Sequence, residues 1–155
     1  MTKLPPINIC KNIFNKVPYL VKRFGTQFII VTEKRMEHVA DKLLSSMRGK
    51  KLACDIVLVP GGEQNKNLNT ITQLGGKLAR LGLPRDGCLI ALGGGVIGDI
   101  TGFMASIYMR GIPFIMIPTT LLAMADASIG GKTGVDLPEG KNLIGTFYHP
   151  RTICM

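Results

Sequence analysis

The sequence predicts an α/β fold, an open and mostly parallel sheet with helices on both faces. Short apolar runs rich in β-branched residues alternate with segments of helical period, which is the pattern of strands joined by crossover helices. A length of 155 residues fits one domain, and a composition of 46% hydrophobic and 19% charged residues supports a buried core. Residues 1–155 are therefore interpreted as a single α/β domain.

The first half of the chain contains two of the predicted strands. Residues 28–32 (FIIVT) form the first, and a helix follows in which apolar residues recur at steps of three and four from Met36 to Met47. Gly49 is expected to end this helix. Residues 55–60 (DIVLVP) then form the second strand.

The second half repeats this alternation. After the polar loop GGEQNKN, helical spacing from Leu68 to Leu81 closes at Gly82, and residues 88–92 (CLIAL) form the third strand. Residues 93–99 turn the chain into an apolar helix that extends to about Tyr108. Residues 114–118 (FIMIP) form the fourth strand, and residues 151–155 resemble the start of another.

Polar and glycine-rich segments follow each predicted strand: Glu33, GGEQNK, GGGVIGD and PTT. Ligands of open α/β sheets bind beyond the carboxyl ends of the strands. These four segments are therefore the candidate binding loops.

Charge and cysteine content narrow the function classes only slightly. Nineteen Lys and Arg against ten Asp and Glu give +9, which would attract any polyanion and does not choose among them. The four cysteines show no CxxC spacing, and the sequence shows no signal peptide and no apolar run of about 18 residues. We therefore expect a cytoplasmic protein that binds neither nucleic acid nor membrane.

A glycine motif lies between the third strand and its helix. Gly93, Gly95 and Gly98 satisfy GxGxxG, which lets backbone amides and a helix N-terminus approach a diphosphate. Alone, the motif also fits a tightly packed turn. A second segment, GGKT at residues 130–133, is similar to the end of a Walker loop, but Asp126 occupies the position of its required first glycine. A nucleoside-triphosphatase is therefore excluded.

The run from Leu92 to Pro150, LGGGVIGDITGFMASIYMRGIPFIMIPTTLLAMADASIGGKTGVDLPEGKNLIGTFYHP, closely resembles the 3-dehydroquinate synthase family. VPGGEQNK at residues 59–66 and FIIVTE at residues 28–33 resemble the same family. The resemblance implies a Rossmann-like nucleotide-binding domain. It also implies an enzyme that uses NAD catalytically to convert the phosphorylated sugar acid DAHP into 3-dehydroquinate and phosphate, in the shikimate pathway to chorismate and the aromatic amino acids.

The resemblance also assigns roles to individual residues. The substrate pocket would include Arg110, Asp126, Lys132 and Asn142, whose chemistry suits a carboxylate, hydroxyls and a phosphate. The cofactor would contact Glu33, Gly61, Gly62, Glu63, Gln64, Asn65, Lys66, Gly94, Gly95, Val96, Ile97, Gly98, Asp99, Thr119, Thr120, Lys132 and Lys141. From the residues alone, a helix-end arginine and solvated loop lysines remain alternatives.

Several features depart from the family pattern. Gly61 and Asn65 stand where the family has Asp and Tyr, which we expect to lower the affinity for NAD, and the N-terminus lacks a recognisable first strand. The family's zinc or cobalt ligands, from a helical C-terminal domain, find no counterpart in this sequence. The expectation is thus an NAD-binding half that is inactive alone and that forms a homodimer at full length. A related sugar-phosphate cyclase, a polyol dehydrogenase and a non-catalytic NAD-binding module remain open.

Overall fold

The computed structural model describes residues 4–155 and contains a six-stranded sheet, a separate hairpin and four α-helices. The strands are β1 (Ile7–Asn8), β2 (Gln27–Glu33), β3 (Ala53–Val59), β4 (Cys88–Gly93), β5 (Phe114–Pro118), β6 (Lys132–Leu137), β7 (Gly140–Phe147) and β8 (Ile153–Cys154). The helices are α1 (Ile13–Val21), α2 (Glu37–Gly49), α3 (Leu68–Arg80) and α4 (Gly95–Ile107). The predicted strands and helices are confirmed to within a few residues at their ends.

The main sheet has the order β1-β8-β5-β4-β2-β3, and each of its strand pairs is parallel. Successive side chains of a strand point to opposite faces, so β2 supplies Ile29 and Val31 to one core and Phe28 and Ile30 to the other. The first core includes residues of α3 and α4, and the second includes residues of α1 and α2. The predicted arrangement of a parallel sheet with helices on both faces is confirmed.

The N-terminal strand corrects the expectation that none exists. Ile7 and Asn8 pair with Ile153 and Cys154. Backbone hydrogen bonds hold this pairing; for example, the Met155 N–H donates to Asn8 O at 2.8 Å. A strand of two residues has too little pattern to be recognised in the sequence, and its partner lies at the other end of the chain.

The hairpin β6–β7 occupies a segment that the sequence indicated as glycine-rich loops. It lies against α4, because a Cβ added to Gly102 would come within 2.4 Å of the Thr133 methyl carbon. Val135 on the same strand is fully buried. The hairpin therefore covers one side of α4 and joins it to the first core.

The strand order changes direction at β2. From β2 the chain moves outward to β3 and then returns to the other side of β2 as β4. Such a switch point leaves a crevice outside the carboxyl ends of β2 and β4, and α/β proteins bind ligands in crevices of this kind. Within residues 4–155, none of the helices has the length and apolar character needed to cross a bilayer.

Candidate functional site

The fold brings the four predicted binding loops to one edge of the sheet. Glu33 ends β2, residues 61–66 follow β3, residues 94–99 follow β4, and Thr119 follows β5. Because all four strands are parallel, their carboxyl ends share that edge. The predicted cofactor residues are thus neighbours in the fold.

The turn from β4 into α4 exposes backbone amides. Gly94 is the N-cap of α4 in extended conformation, and it offers no side chain to the first amides of this 13-residue helix. A Cβ on Gly94 would lie 3.3 Å from the Thr120 methyl carbon, and the Thr119 N–H donates to Gly93 O at 3.0 Å. The turn is therefore packed against the loop after β5, with its amides at the start of a helix dipole that favours an anion.

The interior of this turn contributes backbone only. The Ile97 side chain is 1% exposed in the first core, and a Cβ on Gly93 would lie 2.8 Å from it. Gly98 packs against Met116 in the same way, at 3.1 Å. Of the predicted residues in this segment, Asp99 is the one whose polar side chain lines the cleft described below.

Glu33, at the end of β2, and Gly61, just after β3, are in close contact. A Cβ on Gly61 would overlap one Glu33 carboxylate oxygen and lie 3.3 Å from the Glu33 Cβ, so a side chain here would displace the Glu33 carboxylate. The other oxygen of the buried Glu33 carboxylate pairs with the exposed Arg35 at 2.8 Å. The Asn65 amide donates to Gly61 O at 2.7 Å, which holds the loop after β3.

Lys66 is the centre of an ionic cluster. Its side chain is 4% exposed, and its ammonium lies 3.2 Å from Asp99, 3.3 Å from Glu63 and 3.6 Å from Asp136. It also donates to the Asn142 side-chain oxygen at 2.7 Å. Lys141 lies 3.7 Å from Glu63 at the edge of this cluster. Two other predicted cofactor residues, Glu63 and Asp99, and the predicted substrate residue Asn142 thus meet around the Lys66 ammonium.

Burial and charge shift the pKa values of the cluster in different directions. Burial raises the pKa of Asp99 to about 6, although attraction to Lys66 opposes the shift. A hydrogen bond from the Asn142 backbone lowers the pKa of Asp136. Burial disfavours the charged form of Lys66, but attraction to Asp99 and Glu63 outweighs it, so its pKa is raised. Lys66 is therefore charged at neutral pH, whereas Asp99 is the weak acid of the group.

A cleft of about 650 Å³ adjoins this cluster, and residues of both hairpin strands line it. Its lining includes Asp99, Asp126, Lys132, Asn142, Leu143 and Phe147. Three of the four predicted substrate residues therefore share one cavity, and Asp99 connects that cavity to the glycine turn. Lys132, which both predicted sets contain, also lines it.

Arg110 is not brought to this cleft. It lies beyond the C-terminal end of α4, which by helical rise is about 20 Å from the glycine turn. Met109 and Arg110 have φ values of 48° and 68°, and both side chains are exposed. The matched sequence run is continuous, but a helix separates its residues to opposite ends of the domain.

Asp136 is a residue that the sequence reasoning missed. It lies in β6 and joins the cluster through Lys66 and Asn142. The motif GVDLPEGKN contains a signal for this turn, because Asp136 and Asn142 are six positions apart and can close it. The contact of Asp136 with Lys66, by contrast, is evident only once the hairpin has folded. Within residues 4–155, no group of three His, Cys, Asp or Glu side chains is arranged to hold a metal ion.

Comparison with known proteins gives consistent matches. The family model for the 3-dehydroquinate synthase N-terminal domain matches residues 56–155. The 3-dehydroquinate synthase of Blochmanniella floridana is 44% identical over 151 residues, covering 96% of this chain and 42% of that protein. That of Dictyoglomus thermophilum is 58% identical over 98 residues, covering 63% of this chain and 28% of that protein. The chain thus spans less than half the length of these curated relatives.

Solved structures share the fold. A 2-deoxy-scyllo-inosose synthase complexed with carbaglucose-6-phosphate, NAD⁺ and Co²⁺ has a TM-score of 0.85 at 31% identity, covering 99% of this chain and 44% of that one. The 2-epi-5-epi-valiolone synthase of Streptomyces hygroscopicus subsp. jinggangensis 5008, with NAD⁺ and Zn²⁺ bound, has a TM-score of 0.87 at 28% identity, covering 99% and 43%.

Proposed function

Because this chain belongs to the 3-dehydroquinate synthase family, we propose that it is the NAD-binding part of a 3-dehydroquinate synthase. The proposed reaction converts DAHP into 3-dehydroquinate and phosphate, with NAD as a catalytic redox cofactor. The observation that carries the proposal is the contact between an anion-binding helix start and a polar cleft, made through Lys66, Asp99 and Asn142.

The residues at the crevice suit NAD. The first amides of α4 provide donors for a diphosphate, and Gly94 leaves room for its close approach. Glu33 at the end of β2 provides a carboxylate acceptor for ribose hydroxyls. When bound, NAD supplies the reversible acceptance of hydride from the substrate. The chain's own residues orient it and exclude water from the buried side of the crevice.

The adjoining cleft suits a phosphorylated sugar acid. Lys132 supplies a cation for a carboxylate or phosphate, whereas Asn142 and Asp126 supply groups for hydroxyls. Its volume of about 650 Å³ lies in the range of small-molecule sites. Arg110 does not line this cleft, and its contact with the substrate stays a prediction.

We further propose that this chain does not catalyse turnover alone. The described residues do not provide a three-ligand metal site, so no metal-dependent step is assigned to them. The homodimer of the full-length protein is likewise a proposal. The cytoplasmic location is supported by the four cysteines, all of them free thiols.

The test is a calorimetric titration of the chain with NAD, followed by addition of DAHP and zinc with an assay for phosphate. We expect NAD binding without phosphate release. Absence of NAD binding would contradict the proposed cofactor site, and phosphate release would contradict the proposed lack of turnover.

A variant can show that the α4 start is the site. Gly94→Asp suits the extended N-cap conformation of residue 94, and its carboxylate would accept from the same amides while repelling a diphosphate. We expect it to retain the helix and lose NAD binding. Gly49→Asp adds the same charge where a Cβ meets no atom within 4 Å, and it should bind NAD as the wild type does.

A further inference from the structure

Asp136 makes polar contacts with the two residues that join the cofactor turn to the cleft. We propose that Asp136 is a positioning residue, which fixes Asn142 and Lys66 so that the NAD site and the substrate cleft keep one relative geometry. The inference rests on the proposed function, because it concerns the same site. It adds a role for a residue that the sequence did not single out.

The first contact determines the backbone of the hairpin turn. The Asn142 N–H donates to the Asp136 carboxylate at 2.7 Å, and Asn142 has a φ of 56°. Asparagine tolerates this left-handed conformation better than most residues, and a hydrogen bond to its backbone N–H stabilises it there. The Asp136 carboxylate provides that partner.

The second contact follows from the first. With its backbone held, Asn142 lines the cleft and accepts a hydrogen bond from the Lys66 ammonium at 2.7 Å. The Asp136 N–H donates to Lys66 O at 2.8 Å, and its carboxylate lies 3.6 Å from the ammonium. Asp136 thus contacts both the backbone and the charge of Lys66.

The Lys66 ammonium is engaged by the protein itself. It donates hydrogen bonds to Asn142 at 2.7 Å and Asp99 at 3.2 Å and lies 3.3 Å from the Glu63 carboxylate. Lys66 therefore acts on the cofactor by holding Asp99 beside the glycine turn. Loss of the Asp136 carboxylate would free the Asn142 backbone and weaken its contact with Lys66. Because Lys66 also holds Asp99, the position of Asp99 beside the glycine turn would loosen as well.

The experiment compares three variants of the 155-residue chain. Asp136→Ala removes the acceptor and the charge, whereas Asp136→Asn keeps an oxygen that can accept from Asn142. Glu139→Gln is the matched control, because it removes an exposed carboxylate from the tip of the same hairpin. NAD affinity is measured by calorimetry, the Asn142 amide proton by NMR, and retention of the fold by circular dichroism.

We expect Asp136→Ala to weaken NAD binding about 10-fold, the size of effect typical for loss of a hydrogen bond to a charged group. Its Asn142 amide proton should move upfield. Asp136→Asn should restore most of both properties, which a purely charge-based role would not allow. Glu139→Gln should match the wild type in both.

Equal NAD affinity and equal Asn142 shifts in the wild type and in folded Asp136→Ala would overturn this inference and leave the proposed function standing. An Asp136→Asn variant as weak as Asp136→Ala would also overturn it. Failure of the wild-type chain to bind NAD would overturn the proposed function, and with it this inference.

Discussion

Asp99 gives the sharpest prediction about stability. Its carboxyl is 23% exposed and lies beside Lys66, Glu63 and Asp136. Burial raises its pKa to about 6 in the folded chain, against 3.8 as its ordinary value. Replacing it by Asn keeps an oxygen for the Lys66 hydrogen bond and removes the charge. We therefore expect Asp99→Asn to stabilise the chain at neutral pH.

The sign follows from the direction of the shift. A carboxyl whose pKa is higher in the folded state binds its proton more tightly there, so its contribution favours the folded chain at low pH. That contribution is complete below about pH 4 and disappears as the pH rises through about 6. A shift of roughly two units at 1.36 kcal/mol each amounts to about 3 kcal/mol, of which about 2 kcal/mol is lost between roughly pH 4.5 and 7.5.

The assay is urea unfolding at several pH values in that range. Circular dichroism is the suitable signal, because the chain has no Trp. The free energy of unfolding of Asp99→Asn, minus that of the wild type, should rise by about 2 kcal/mol over this range. Carboxyl groups away from the Lys66 cluster cancel in this difference, whereas Glu63 and Asp136, which repel the Asp99 charge, contribute to it.

A companion variant should show the opposite sign. The pKa of Asp136 is lowered by its hydrogen bond from Asn142, so its contribution is present above its unfolded pKa and is lost as the pH falls. Asp136→Asn should thus destabilise the chain at neutral pH more than at acidic pH. For Asp99→Asn, a difference in free energy of unfolding from the wild type that stays constant with pH would refute the argument that burial raises the pKa of Asp99.

Three further predictions test the fold and its surface. Gly61→Ala should destabilise the chain by roughly 1–3 kcal/mol, because the added Cβ would displace the buried Glu33 carboxylate from its place beside Arg35. Gly49→Ala, in open space at a helix end, should be neutral or slightly stabilising, and urea midpoints check both variants. Iodoacetamide should label the half-buried Cys10 quickly in the native chain and all four thiols after unfolding. Burial raises the pKa of Cys54 to about 12 and of Cys154 to about 11, and it also raises the pKa of Cys88, so these three thiols should react slowly. A second fast site, detected by mass spectrometry, would contradict this. Light scattering should show self-association of the wild-type chain, because the apolar side chains of Phe147 and Leu122 are 75% and 74% exposed. Phe147→Ser and Leu122→Ser should each reduce it, and a monodisperse wild-type monomer would contradict this prediction.

The strands of the main sheet were predictable where their apolar runs are long. Residues 28–32 and 88–92 lie between two helical layers, so every residue is apolar or β-branched and the run stands out. β1 has two residues and no such run. The hairpin was missed because Gly134 and Gly145, which face each other across it, read as loop residues although a side chain at either would strike the opposite strand.

The candidate site was predictable at the level of loops but not of contacts. Parallel strands place their carboxyl-end loops together, so the glycine turn and Thr119 could be grouped without coordinates. Arg110 belongs to the same sequence run as the glycine turn, but the length of α4 carries it away from the cleft. Asp136 lies 70 positions after Lys66 in the chain, and only the folded hairpin brings the two together.

The charge balance around Lys66 explains why Asp99, among three neighbouring carboxylates, is the weak acid. One ammonium cannot compensate three negative charges, so each carboxylate depends on what else stabilises it. Asp136 has the Asn142 N–H at 2.7 Å, and Glu63 is 41% exposed and has Lys141 at 3.7 Å. Asp99 is 23% exposed and, within residues 4–155, pairs with Lys66 alone. As the pH falls, Asp99 is therefore the carboxyl of the three that takes up a proton first, and its position between the helix start and the cleft is where a change of charge on a bound ligand would act on it most strongly.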